Sequence, residues 1–598
     1  MRYLYFKRIK AHGIMCLFLV FIIGCNNVKK EPYTKKKEVS KLGALQSYYT
    51  IHLEKCIDAL QKLKITEEIN QQQDYYKLAR HEFKLVEPIL AYVDKENYKS
   101  LNAPNILKVE EEDATDIKVR NPFGFQVIEE TIFGEEEFNE EDLKKIVLKT
   151  INRLQLVTVN NTLYLKEYHI LWLLRDAVAR VSLLGLTGFD SPVLEQSLEE
   201  AQTNYETVQF ILQQYKSNFT NKELFKKWVK ELNTTKQVLK GDFNSFNRYQ
   251  FIKSQVHHQL VLLKETANDW KVSFPLTMAF NNNITSLFSK ETFNIGFFSD
   301  YHHREKNNFD EKVALGKKLF NDKRLSRGEK MSCATCHSKE LAFTDGKIAF
   351  ENQTRNSPTL TYASLQKAFF HDGRAGSLEG QIVGVVNNKD EFHSDLNKLE
   401  IVVKKDSVYK DKFETLYGKV TDFTIRNAIA NYIRTLNTFN SKFDKNINGK
   451  ERTLTNNEIN GFNLFTGKAK CATCHFPPVF NGTVPPNYSE SELESIGVPN
   501  LKQNQLDSDL GRYNLFKTEE RKHFFKTPTV RNSEKTGPYM HNGTYQTLEE
   551  VVDFYNKGGG IGLGFHLENQ TLPSDKLNLS VQEIADIVSF MESLTDKY

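Results

Sequence analysis

Two copies of one pentapeptide, Cys333-Ala334-Thr335-Cys336-His337 and Cys471-Ala472-Thr473-Cys474-His475, constrain this chain more than anything else in it. The C-x-x-C-H spacing sets two thiols on one turn with an imidazole directly behind them. That is the arrangement through which haem is attached covalently and its iron ligated. A lone C-x-x-C would serve equally as half a zinc site or as a redox dithiol. Here both copies end in His, and four of the seven cysteines are used, so no other pair exists to complete a zinc site. The chain reads as a carrier of two c-type haems. Cys333, Cys336, Cys471 and Cys474 are the attachment points, and His337 and His475 the iron ligands.

The first 25 residues read as an export signal. Arg2, Lys7, Arg8 and Lys10 form a basic start, followed by an apolar stretch from Ile14 to Ile23 that is short for a bilayer span. It closes in Ile22-Ile23-Gly24-Cys25, which resembles the bacterial lipobox and implies cleavage before Cys25 and its lipidation. An ordinary signal peptide or an uncleaved anchor is the alternative. Acyl chains tether a protein without making it span the membrane, so the expected location is the periplasmic side of a bacterial envelope. Export suits the cofactor, because c-type haem is generally attached outside the cytoplasm. Cys16 leaves with the signal, and the remaining thiol, Cys56, lies on the stripe Leu45, Tyr49, Leu53, Cys56, Leu60, Leu63. A buried structural thiol is expected there, and no disulfide. The 80 basic and 76 acidic residues nearly cancel, so nothing calls for a nucleic-acid partner.

The length exceeds what one core serves. A Lys-rich tether over 26–40 leads into residues 41–290, which read as a helical bundle. One clear stripe is Leu194, Leu198, Ala201, Tyr205, Val208, Leu212 and Tyr215, with Ser191-Pro192 as the expected N-cap and first-turn proline. Composition turns loop-like from about Phe293 to Lys306. Beyond it come short helices and long loops, with the two pentapeptides 138 positions apart, one to a lobe: residues 305–450 and 451–598. The expected fold is mainly α, a bundle followed by two cytochrome c-like haem lobes. Within the bundle, Gly124-Phe125-Gln126-Val127-Ile128-Glu129 is similar to the G-x-H-x-x-E motif of imelysin-like helical domains, with Gln126 in place of His. The plain alternative is a helix with Val127 and Ile128 buried and Glu129 exposed or capping.

Longer matches flank each pentapeptide. Around the first are Leu315-Gly316-Lys317-Lys318-Leu319-Phe320, Leu341 to Gly346, Arg355-Asn356-Ser357-Pro358 and Asp372-Gly373-Arg374. Around the second are Gly461, Leu464-Phe465, Lys526 to Asn532 and Gly537-Pro538-Tyr539-Met540-His541-Asn542-Gly543. This ordered series resembles the bacterial dihaem cytochrome c peroxidase superfamily, which includes the MauG-type enzymes, over about residues 305 to 598. The resemblance implies a peroxidatic haem on His337 and an electron-transfer haem on His475, fed by a small cytochrome c or a cupredoxin. It also implies a Ca²⁺ held by the Asn356 side chain and the carbonyls of Thr536 and Pro538, an all-oxygen set that suits the ion. A homodimer is implied too.

Peroxide must lose a proton from one oxygen and gain one on the other, a task for a positioned carboxylate. The resembled family uses a Glu ten residues after a Gln, a spacing met by Gln381 and Glu391. Glu391 is therefore the expected acid/base and Gln381 its hydrogen-bonding companion in the pocket. On its own residues Glu391 reads as well as a solvated loop carboxylate beside Asp390.

Three departures from the family pattern carry weight. From Ser338 to Thr354 there is no His or Met, so the first haem is expected to be open opposite His337. His371 stands where many relatives have Trp, and is read as a polar pocket or relay residue, with a plain structural His as the alternative. Fourteen residues after His541, where the well-studied peroxidases have Met, stands Tyr555, the MauG-type pattern. A phenolate there would lower the haem potential; the alternative is a core aromatic. The expected function is reduction of hydrogen peroxide to water. Alternatives are a MauG-like oxidation of a partner protein or organic substrate, and a non-catalytic electron-transfer or sensor module.

Overall fold

The computed structural model describes residues 40–113, 115–299 and 307–598. The signal segment with Cys25, and all but the last residue of the tether, lie outside the described residues. The fold is mainly α, with two small two-stranded sheets, and no described helix is long and apolar enough to cross a membrane.

The N-terminal half is built on two 25-residue helices, Lys41–Ile65 and Ile69–Val93, packed against each other. The first buries Leu45, Tyr49, Leu53, Cys56, Leu60 and Leu63, the stripe expected from the sequence. Glu68 starts the second by accepting the amides of Asn70 and Gln71 with its carboxylate. Helices Glu140–Val159, Glu167–Leu183, Ser197–Gln214, Lys222–Val238 and His257–Asp269 complete the bundle. An antiparallel hairpin, Lys108–Asp113 with Asp116–Arg120, projects from it.

One helix starts later than expected. It runs from Ser197 to Gln214, so Ser191-Pro192 is not its N-terminus. Glu129 is the reason. Its carboxylate is buried and accepts the Ser191 hydroxyl and the amides of Val193 and Leu194, at 3.0–3.1 Å. Those amides are thereby held in a turn, and Glu195 at φ +54° interrupts any helix before Ser197. Glu129 also accepts from the Tyr76 hydroxyl at 2.9 Å, and Gln126 donates to Asn102 O at 2.9 Å. The G-x-Q-x-x-E segment is thus wholly engaged within the bundle.

Both haem lobes are clasped by the same device. In the first, helix Phe309–Phe320 crosses helix Asp422–Ile433; in the second, Asn456–Phe465 crosses Val581–Ser593. At each crossing stands a glycine. A Cβ on Gly316 would lie 1.8 Å from Ala428 O, and one on Gly461 1.9 Å from Asp586 O. No side chain fits there, which is why both Leu315-Gly316 and Asn460-Gly461 carry Gly three or four residues before a buried Leu-Phe pair. Gly461→Ala is expected to force the helices apart and destabilise the protein by about 3 kcal/mol, measured by chemical unfolding; an unchanged midpoint would show the crossing to be looser than drawn.

Two hydrophobic cores divide the molecule in an order unlike the sequence. One, including Leu315, Phe320, Val403, Phe413, Ile429 and Leu436, belongs to the first haem lobe. The other runs without a break from Leu45 in the bundle, through Phe288 and Phe293, to Phe480, Phe590 and Leu594 in the second haem lobe. Polar ties support that continuity: Tyr249 N donates to Asn463 Oδ1 at 3.0 Å and Lys470 Nζ to Pro192 O at 3.2 Å.

Candidate haem sites

Cys333–Cys336 form one helical turn, opened by Ser332 N donating to Thr335 Oγ1 at 3.0 Å and closed by His337 N on Cys333 O at 3.1 Å. Cys471–Thr473 form a tighter turn, closed by His475 N on Cys471 O at 2.9 Å. All four thiols are half-buried and unbridged. Each imidazole is then oriented by a backbone carbonyl. His337 Nδ1 donates to Phe343 O at 2.9 Å; His475 Nδ1 donates to Pro528 O at 3.0 Å and Phe480 O at 3.3 Å. A carbonyl only accepts, so Nδ1 carries the proton in both rings and Nε2 keeps its lone pair for iron.

Backbone strain accompanies both arrangements. Phe343 and Phe480, the residues whose carbonyls hold the two histidines, sit at φ +62° and +57°. A bulky side chain rarely adopts that region, and where it does the surroundings enforce it. Burial depresses both imidazoles, His475 to about 4, against the carbonyls that would favour the cation. Two thiols on a turn followed by a neutral, Nε2-exposing His fit covalent haem at each place.

Glu391 reaches the first of these sites. It lies in a turn just beyond helix Leu378–Asn387, where Glu391 N donates to Asn388 O at 3.2 Å and Asn388 Nδ2 donates to Glu391 Oε1 at 2.8 Å. With Asp345, its charge bears on Cys336, whose thiol burial and these carboxylates push up to about 12. Burial raises the Glu391 carboxyl above its ordinary value, opposed by Asn388 and by Arg374. Arg374 stacks over the Phe370 ring at 3.5 Å and donates to both Asp372 oxygens at 2.9 Å. Gln381 is half-buried on the helix Leu378–Asn387 and hydrogen-bonds through its backbone to Ser377 O at 2.9 Å.

His371 lies at the seam between the lobes. Its neutral ring donates through Nε2 to Asn356 O of the same lobe at 3.0 Å, while its backbone carbonyl accepts Lys526 N of the second lobe at 2.6 Å. Burial holds its pKa down to about 3, with His541, Arg355 and Lys526 adding to the effect. Beside it, Arg355 donates to Asp509 at 2.5 and 2.9 Å and to Asp372 at 2.7 Å. Phe525 stacks on His541 with centroids 3.9 Å apart, and Arg355 lies over the other lobe's Phe525 at 5.5 Å.

The calcium set is drawn differently from expectation. Asn356 Nδ2 donates to Pro538 O at 3.0 Å and to Met540 O at 2.8 Å, and Asn356 N donates to His541 O at 2.9 Å. The second carbonyl at the Asn356 side chain is therefore that of Met540, while Thr536 N closes a local turn on Ser533 O at 3.2 Å. As placed, the Pro538 and Met540 carbonyls accept from the Asn356 side-chain amide, whose other end, Oδ1, is the oxygen of the expected set.

At the second site Tyr555, on helix Leu548–Asn556, lies close enough to Cys474 and Cys471 for their charge to act on its phenol. Burial is the larger influence and raises the phenol above its ordinary value, and a bound metal cation would act in the opposite direction. Sequence reading passed over Glu494, which sits in a two-residue strand paired with Phe525–Lys526 and acts on Cys474. Burial lifts it to about 7. It also passed over Arg512, which donates to Asp372 O and Gly373 O at 3.2 and 3.1 Å and to Glu111 Oε2 of the bundle hairpin at 2.9 Å. Neither residue sits in a recognisable motif; Glu494 takes its place through the short strand pairing with Phe525, and Arg512 through partners more than a hundred positions away.

Residues 310–452 match the family model described as di-haem cytochrome c peroxidase. A cytochrome-c peroxidase of Pseudomonas sp. (strain SCT) is 33% identical over 313 residues, 48% of this chain and 81% of its own. The methylamine utilization protein MauG of Methylorubrum extorquens is 33% identical over 294 residues, 48% of this chain and 78% of its own. A solved structure of a MauG-like protein associated with microbial copper homeostasis is 25% identical, covering 48% of this chain and 90% of its own, with a TM-score of 0.42.

Proposed function

We propose that this chain, which belongs to the di-haem cytochrome c peroxidase and MauG family, reduces hydrogen peroxide to water at the first haem site. The electrons come from a small redox protein, a cytochrome c or a cupredoxin, delivered at the second site. The observation that carries this reading is the placement of Glu391: a carboxylate raised by burial, held by Asn388, and near enough to the C-x-x-C-H turn of the first lobe for its charge to act on Cys336. An electron carrier has no use for such a group.

Cys333, Cys336 and His337 would hold one haem and Cys471, Cys474 and His475 the other, with Tyr555 as a further ligand at the second. When bound, the haems supply one-electron transfer and the iron at which peroxide is reduced. The rest is the work of side chains. Glu391 as carboxylate accepts the proton of the peroxide oxygen nearest it and returns a proton to the departing oxygen, so that water leaves rather than hydroxide. Asn388 fixes the carboxylate's direction, and Arg374 moderates its basicity. His371 and Arg355 keep the two lobes in register across the seam. Gln381 is assigned to the same pocket by its spacing from Glu391. Export, and a lipid anchor at Cys25 on the periplasmic side, belong to this reading and rest on the N-terminal motif.

A second reading, oxidation of a partner protein or organic substrate, draws on Tyr555, buried near the second site's cysteines. One experiment separates them: peroxide consumption with a reduced small cytochrome c, in wild type and in Tyr555→Met. The variant's second haem should rise in potential within the ~0.8 V that axial ligands span. Donor-dependent consumption by the wild type supports the peroxidase; consumption only after Tyr555→Met would favour the oxidase.

A further inference from the structure

We propose that Tyr598 and Tyr362, which share the buried carboxylate of Asp596, form a one-electron donor built into the chain beside the first haem site. This rests on the peroxide reading above. The C-terminal residues leave the second-lobe helix Val581–Ser593 and run between the lobes, where Asp596 N donates to Asn532 Oδ1 at 2.7 Å and Lys597 N to Asn440 Oδ1 at 2.8 Å. The tail thereby places Tyr598 against the first-lobe core.

Tyr598 meets Phe343 edge-on, with ring centroids 5.7 Å apart. Phe343 is the residue whose carbonyl holds His337 Nδ1 at 2.9 Å. Only Phe343 therefore stands between Tyr598 and His337, the first iron ligand. Tyr362, 1% exposed, donates its hydroxyl to Asp596 Oδ2 at 2.8 Å; Tyr598 donates to the same oxygen at 3.4 Å. Asp596 is 2% exposed, and its other oxygen accepts Asn440 N at 2.9 Å. Asn532 Nδ2 bridges the Tyr598 hydroxyl at 3.1 Å and the shared oxygen at 3.3 Å.

This geometry supplies what oxidation of a buried phenol requires. Burial keeps both phenols protonated, so an electron leaves only if the proton leaves with it. Asp596 is a carboxylate already hydrogen-bonded to receive it. In the step, the O–H bond of the tyrosine breaks, the proton passes to Asp596 Oδ2, and one electron goes to peroxide. Peroxide takes two electrons and two protons to become two waters, so the tyrosine supplies one electron, and the other comes from the external donor or, where none is present, would come from the bound ferric haem. Restoration needs one further donor electron, with the proton returning from Asp596. Such a store serves when peroxide arrives before both external electrons.

The test adds hydrogen peroxide to the ferric holoprotein without donor and records the EPR spectrum, with and without ring-deuterated tyrosine. An organic radical whose hyperfine splitting collapses on ring deuteration is expected. It should be lost in Tyr362→Phe/Tyr598→Phe, which keeps both rings packed, and lost in Asp596→Asn. Turnover with saturating donor should be unchanged in the double variant, which also shows that it is folded. A tyrosyl signal surviving the double substitution, or none in a wild type that consumes peroxide with a donor, overturns the inference alone. A wild type that consumes no peroxide overturns the peroxidase reading and this inference with it.

Discussion

Glu391→Gln is expected to lower kcat/KM for hydrogen peroxide by about a hundred- to ten-thousandfold, the usual worth of a positioned acid/base. Gln keeps the size of the side chain and can still accept from Asn388 Nδ2, so both haems should remain attached and the first lobe folded. What it loses is the ability to take and return a proton. The pH dependence follows from the same group. Burial raises the Glu391 carboxyl, and the active form is the carboxylate. Activity is therefore full above its pKa and falls as pH drops through it, with that limb lying above the ordinary carboxylate range. Asn388 and Arg374 pull the carboxyl down, so Asn388→Ala should move the limb to higher pH. A Gln variant that turns over like the wild type would remove Glu391 from the mechanism and return it to a loop carboxylate.

Cys471→Ala/Cys474→Ala is the second large expected effect: donor-dependent peroxide consumption falls to background while the first site still reacts with peroxide in a single turnover. The two lobes make this separable. The first has its own core, including Leu315, Phe320, Ile429 and Leu436, and its own glycine crossing at Gly316. Mass spectrometry should find one attached haem instead of two, and a stopped-flow trace should show the peroxide reaction without subsequent cycling. Sustained turnover with cytochrome c in this variant would mean that electrons enter the first lobe directly.

Much of this was legible in the residues. The pentapeptides mark the two expected haem positions because attachment chemistry needs fixed local spacing, and Glu391 was nominated through the Gln-to-Glu spacing of the resembled family. The stripe through Leu45 and Cys56 marks a helix because the packing of an amphipathic face repeats along the chain. The start of Ser197–Gln214 was misjudged, since Ser191-Pro192 is a sound helix opening and only a remote, buried Glu129 redirects it. Glu494, Arg512 and Asp596 gave no signal at all. Arg512 and Asp596 matter through partners more than a hundred positions away, Glu494 through an irregular two-residue strand pairing, and no period or motif encodes such meetings. The same holds for Phe343 and Phe480, whose left-handed backbones would have been assigned to glycine.

The continuity of one core from Leu45 to Leu594, with the first haem lobe set between its two halves, bears on how the molecule comes to exist. Topologically the first lobe is an insertion. Its main helix crossing, Phe309–Phe320 on Asp422–Ile433, lies within its own residues, whereas the core begun in the bundle includes Phe590 and Leu594 of the second lobe. Long-range closure of that kind is slow and leaves apolar surface open meanwhile. The first lobe is therefore expected to gain hydrogen-exchange protection before the bundle during refolding, and simultaneous protection of both would contradict this order.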